Sequence, residues 1–138
     1  MVIHETGSNA ILVEGLRNRT SGEMVACYQS LVDRLKEGRF EPKLHILDNE
    51  ISQEFKQAIK ANQMEFQLVP PNDHRRNIAE KAIQVFKDHF ISVLCGTDVT
   101  FPMQLWCQIL RQAEHQLNLC TAQVKGGPQH VIIPSAAW

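Results

Sequence analysis

Two carboxylates and a group of cations are the residues of this 138-residue chain whose types and spacing could do chemistry. Asp48 follows the apolar run Leu44-His45-Ile46-Leu47. Glu80 lies in PPNDHRRNIAEKAIQVFK (70–87), among Arg75, Arg76, Asn77, Lys81, Gln84 and Lys87. Paired carboxylates are oxygen ligands for Mg²⁺ or Mn²⁺, which activate a water or hydroxyl for attack at phosphorus and stabilise the leaving oxygen. Arg75, Arg76, Lys81 and Lys87 would position phosphates, with Asn77 and Gln84 adding polar contacts to backbone or bases. The plain alternative is a turn aspartate and a solvated helix face, because short groups of cations are common on ordinary helices.

The elements that must position these residues are legible from spacing. Asp48 ends a predicted strand from Leu44, and ligands in open α/β sheets gather beyond the carboxyl ends of strands. Glu80 belongs to a predicted helix whose apolar stripe is Ala79, Ala82, Ile83, Phe86, Phe90 and Val93. At ~100° per residue, Asn77, Glu80, Gln84 and Lys87 then share one exposed flank. Earlier, Met1–His4 and Asn9–Leu16 predict a strand hairpin turned by Glu5-Thr6-Gly7-Ser8. Thr20-Ser21-Gly22-Glu23 has the form of a capping box, which predicts a helix carrying Met24, Tyr28, Leu31, Val32 and Leu35, with Gly38 as its C-cap. A second helix is expected from Ser52 to Ala61, and a strand from Met64 to Val69 with Met64, Phe66 and Leu68 on its covered face. Leu105, Trp106, Ile109, Leu110, Ala113 and Leu117 predict a last helix. Residues 120–138, with Gly126-Gly127-Pro128 and one apolar triplet, Val131–Ile133, read as an irregular tail behind a domain spanning 1–119.

Composition narrows the classes. The hydrophobic share of 43% suits one domain with a core, and a formal net charge of -1 gives no global pull toward polyanions, so nucleic-acid binding would need a local basic patch. Cys27, Cys95, Cys107 and Cys120 show no short spacing, and the six histidines no cluster, which argues against structural zinc and for a reduced protein inside the cell, the nucleus being one candidate compartment. No apolar run approaches the ~20 residues of a membrane span.

Taken together, LHILDNE (44–50), EFQLVPP (65–71) and NIAEKAIQVFK (77–87) resemble the integrase catalytic core of retroviruses and long-terminal-repeat retrotransposons. NAILVEGLRNRT resembles that fold's third strand, and LWCQILRQAEHQLN its Trp-containing terminal helix. The resemblance implies an RNase H-like α/β fold, a mixed sheet flanked by helices. It also implies that Asp48 and Glu80 are the second and third catalytic carboxylates, with Mg²⁺ or Mn²⁺ as cofactor and DNA as substrate. The family's first aspartate sits on an opening, central strand that would precede Met1, so the chain is expected to be a truncated core lacking that strand. Glu5 is a poor substitute for the missing aspartate. The unpaired strands left behind invite homo-oligomers or a patch by another segment such as Val131–Ile133. Glu50 and Ile78 stand where the family commonly has glycine, and the family's zinc-binding and DNA-binding flanking modules are expected to be absent. The implied function is DNA integration by metal-dependent strand transfer, inactive in this chain alone. The alternative is a non-catalytic nucleic-acid- or protein-binding remnant of a transposon.

Overall fold

The computed structural model describes residues 1–47, 51–69, 74–120 and 130–133, with the backbone alone for 74–79 and 130–133. In chain order the elements are β1 (Val2–Glu5), β2 (Ala10–Val13), α1 (Ser21–Glu37), β3 (Leu44–Leu47), α2 (Gln53–Ala61), β4 (Glu65–Leu68), α3 (His74–Cys95), a 3₁₀ turn (Met103–Leu105), α4 (Trp106–Cys120) and β5 (His130–Ile133). The strands form one mixed sheet in the order β2-β1-β5-β3-β4. β1 and β2 are an antiparallel hairpin, β3 and β4 are parallel, and β5 lies antiparallel to β1 and parallel to β3. Ile11, His4, Ile132, Ile46 and Gln67 stand in one row across all five strands.

Strand alternation divides the apolar residues between two helical layers. Ile3, Leu12 and Leu47 pack with Tyr28, Leu31 and Leu35 of α1 and Phe55 and Ile59 of α2. Val2, Ile11 and Val13 pack with Ala82, Phe86 and Phe90 of α3 and Ile109, Leu110 and Ala113 of α4. The three-layer order of helices, sheet and helices follows from both faces of the sheet being apolar.

The expected shortfall of a central strand is met from the other end of the sequence. β5, within the segment read as an irregular tail, occupies the middle position and joins the β1–β2 hairpin to the β3–β4 pair. Its apolar triplet, Val131–Ile133, named as a possible patch for the unpaired strands, is strand and pairs with both of them. Backbone hydrogen bonding to β1 and β3 decides its state.

Local signals were met unevenly. Ser52 caps α2 by accepting from Phe55 N–H. At α1 the capping box does not form: Thr20 Oγ1 donates to Asn18 Oδ1 at 2.6 Å, and the Glu23 carboxylate accepts from Arg17 N–H at 3.3 Å. Gly38 does stand at the C-cap, but with φ -72°, and the left-handed residue is Arg39 at φ 62°. A Cβ at 38 would lie 3.0 Å from the Phe40 ring, tighter than ordinary contact, so a larger residue there requires the ring to give way. On β4 the expected covered face holds for Met64, while Leu68 is exposed, since an edge strand is only partly overlaid.

Candidate nucleic-acid interface and carboxylate site

The carboxyl ends of β3 and β4 lie side by side, with Leu47 beside Leu68 and Ile133 of β5 on the other flank. Asp48 follows Leu47 immediately in the sequence and lies outside the described residues. Glu80 is an exposed residue of α3, as are Lys81 and Gln84, and Lys87 is half-buried. Helical geometry puts Asn77, Glu80, Gln84 and Lys87 within an arc of about 80°, opposite the stripe of Ala82, Phe86 and Phe90 that fixes the helix to the sheet. Arg75, Arg76 and Asn77 are in the first turn of α3, and their side chains lie outside the described residues. The helix therefore presents Glu80, Lys81 and Gln84 away from the core.

Glu5 has a different role. Its buried carboxylate accepts from Gly7 N–H at 2.8 Å, from Ser8 N–H at 2.6 Å and from the Ser8 hydroxyl at 2.5 Å, closing the hairpin turn. It also pairs with Val131, toward the amino end of β5, whereas Asp48 follows the carboxyl end of β3. Glu5 is therefore a turn residue, its carboxylate taken up by the hairpin.

Among the described residues no group of three or more His, Cys, Asp or Glu side chains gathers to hold a divalent cation. The central strand His130-Val131-Ile132-Ile133 contains no carboxylate, and neither does any other residue of 120–138. Asp48 and Glu80 are thus the whole of the acidic pair that the sequence nominates, with no third acid from the strand between β1 and β3.

The other titratable groups of the interior are structural. His45 on β3 is fully buried against Tyr28 Oη at 3.0 Å and Met64 Sδ at 2.8 Å, and burial lowers its pKa to about 4. Burial likewise pushes the Tyr28 hydroxyl far above its ordinary value. Glu114, buried on α4, accepts from Val13 N–H at 2.7 Å and pairs with Arg34 of α1, which also donates to the Val13 carbonyl at 3.3 Å. Sequence reading passed over Glu114, because an acid in an amphipathic helix looks like a surface residue.

With helices on both faces of a mixed sheet whose first three positions are antiparallel and last three parallel, the domain has an RNase H-like fold. Within that class it has the fold of a retroviral integrase catalytic core. The catalytic core domain of BIV integrase matches with a TM-score of 0.68 over 93% of this chain and 79% of that chain, at 17% identity. A chain of the simian T-cell lymphotropic virus intasome, solved in complex with the PP2A regulatory subunit B56 gamma, matches with a TM-score of 0.69 over 92% of this chain, 45% of that chain, and again 17% identity. At such identity the likeness is one of fold. No protein-family model and no curated protein matches the sequence. Among the described residues no helix is long and apolar enough to cross a membrane.

Proposed function

We propose that this domain binds DNA through the amino-terminal half of α3, using Arg75, Arg76, Asn77, Lys81, Gln84 and Lys87, in the manner expected of a retroelement integrase core. Asp48 and Glu80 are the residues that would hold Mg²⁺ or Mn²⁺, whose chemistry is in-line attack of a hydroxyl or water on a phosphodiester. The observation that carries the reading is the combination of an integrase-core fold with a flank of α3 that exposes Glu80, Lys81 and Gln84.

Strand transfer by this chain alone is expected to be absent, because the strand at the centre of the sheet brings no acid to complete the set. That favours a role in binding rather than chemistry. It is supported by the hydrophobic Val-Ile-Ile run in a place where a metal ligand would be needed. DNA is the proposed partner, with self-association as the assembly mode and the nucleus as the working compartment.

The test is DNA affinity measured over a salt series. Wild-type binding should weaken steeply with salt, and Lys81→Ala with Lys87→Ala should lower the slope of log K against log salt by up to ~2, at about 0.9 per phosphate contact. Glu80→Gln should leave binding intact. A salt-independent affinity, or one indifferent to both lysines, would sink the reading. Mn²⁺-dependent strand transfer that is lost in Asp48→Asn would instead restore the catalytic assignment.

A further inference from the structure

A groove of about 490 Å³ opens where the chain leaves β2 and meets the start of α4, well within the ~300–1,000 Å³ of small-molecule sites. Its floor is Gly15, held from below: Leu110 lies 3.4 Å from where a Cβ of that glycine would stand, and Cys27 Sγ donates to the Gly15 carbonyl at 3.4 Å. One wall is Trp106, which is 41% exposed. The Phe90 ring meets the indole edge-on, with centroids 6.3 Å apart at 71°, so the indole is oriented while much of it stays open. The lining also carries charge. Glu14 is paired with Arg111 at 3.0 Å and also accepts from Ser30 Oγ at 3.3 Å, so the acid is already offset and the surplus at the groove is the cation of Arg17.

An apolar ligand would leave the guanidinium of Arg17 unused, and a bare anion would leave the indole unused. A planar heterocycle carrying a phosphate uses both, since bases stack on aromatic rings while cations take the backbone. Position supports the same chemistry. Val13 leads off the sheet at the end where β3 runs into Asp48, because β2 and β3 run the same way across the rows of the sheet. The order β2-β1-β5-β3 puts three strand spacings, about 15 Å, between the groove and the end of β3. A single strand lying along this end of the sheet would pass both places.

We propose that the groove binds one nucleotide unit, the base against Trp106 and the phosphate on Arg17, as a second contact for a single strand engaged at α3. The inference rests on the nucleic-acid reading above, but its test is separable from it. Full-length protein is alkylated with a thiol reagent, and the rate at each cysteine is followed by mass spectrometry, alone, with an oligothymidylate, and with thymidine monophosphate. Cys107 lines the groove and is exposed, while exposed Cys95 at the end of α3 is the internal control. The oligonucleotide should slow Cys107 about fivefold or more and leave Cys95 unchanged, and Trp106→Leu or Arg17→Ala should weaken its binding about tenfold, as loss of one stacked base does. Trp106→Phe should restore most of the affinity.

If the oligonucleotide binds but Cys107 reacts as fast as before, the groove is overturned and the α3 reading stands. The same holds if Arg17→Ala, an exposed site where misfolding is no excuse, binds like wild type. If no oligonucleotide binds at all, the nucleic-acid reading itself fails. Protection by the mononucleotide at the same concentrations as the oligonucleotide would keep the nucleotide site and overturn its assignment to a strand.

Discussion

The two edges of the sheet are built in opposite ways. At β2, the outer backbone groups are taken up by side chains from the helices on either face. Asn118 of α4 accepts from Ile11 N–H at 2.9 Å and donates to the Ile11 carbonyl at 2.8 Å, as a neighbouring strand would. Glu114 of α4 and Arg34 of α1 meet around the edge and serve Val13 in the same way. Among the described residues β4 pairs with β3 alone, and Glu65, Gln67 and Leu68 are exposed. An edge closed by polar side chains cannot recruit another strand, whereas an open one still can. The closed edge also ties the two helical layers together, which places α4, and with it Trp106, over the end of β2.

The sharpest way to break this contrast is Glu114→Ala. It strands the Val13 amide and the Arg34 charge, which is 20% exposed, so the loss should fall at the low end of the about 3–5 kcal/mol of a buried pair. Urea unfolding should show that loss, and a change under about 1 kcal/mol would mean the clamp is ornamental.

Acid should act next, and on the β3–β4 side. His45 binds a proton more readily unfolded, near pH 6.5, than folded, near pH 4, so the unfolded state holds more protons between those values. Stability is therefore full above about pH 6.5 and falls as pH drops toward 4, by about 1.4 kcal/mol per pH unit and about 3 kcal/mol in all. His45→Gln should flatten that part of the curve measured by thermal unfolding, and an unchanged slope would reassign the acid sensitivity to other groups.

Asn118→Ala, which uncovers both backbone groups of Ile11, should cost about 1–3 kcal/mol and speed hydrogen exchange at Ile11 before the rest of β2. The smallest effect is expected at the open edge. Leu68→Thr should change stability by less than about 0.5 kcal/mol in the same urea assay, because its side chain is already partly in water. A large loss there would show that β4 is covered in solution, by another copy or another segment.

Much of this architecture could be read from residue order. The three- and four-residue spacing of Tyr28, Leu31, Val32 and Leu35 predicted α1, the spacing of Ala82, Phe86 and Phe90 predicted α3, and LHIL predicted β3, because burying one stripe or one face demands that period. Residues that act through neighbours distant in sequence were not legible. Thr20 and Glu23 satisfy a local pattern but take other partners. Glu114 and Asn118 look like the polar side of a helix until β2 is laid beside them. The groove residues Arg17 and Trp106 come from segments that only packing brings together.

The stretch from Asp48 to Glu80 shows the same division. By itself the sequence determined that a strand ends in an acid and that a later helix carries a second acid on a cationic flank. Those are consequences of local period and residue type. The sequence offered Val131–Ile133 as one candidate for the gap between the hairpin and β3, and the tertiary structure decided that it lies there. The backbone groups of β1 and β3 required a partner, and the strand that fills the gap, His130–Ile133, arrives from the far end of the sequence without a carboxylate.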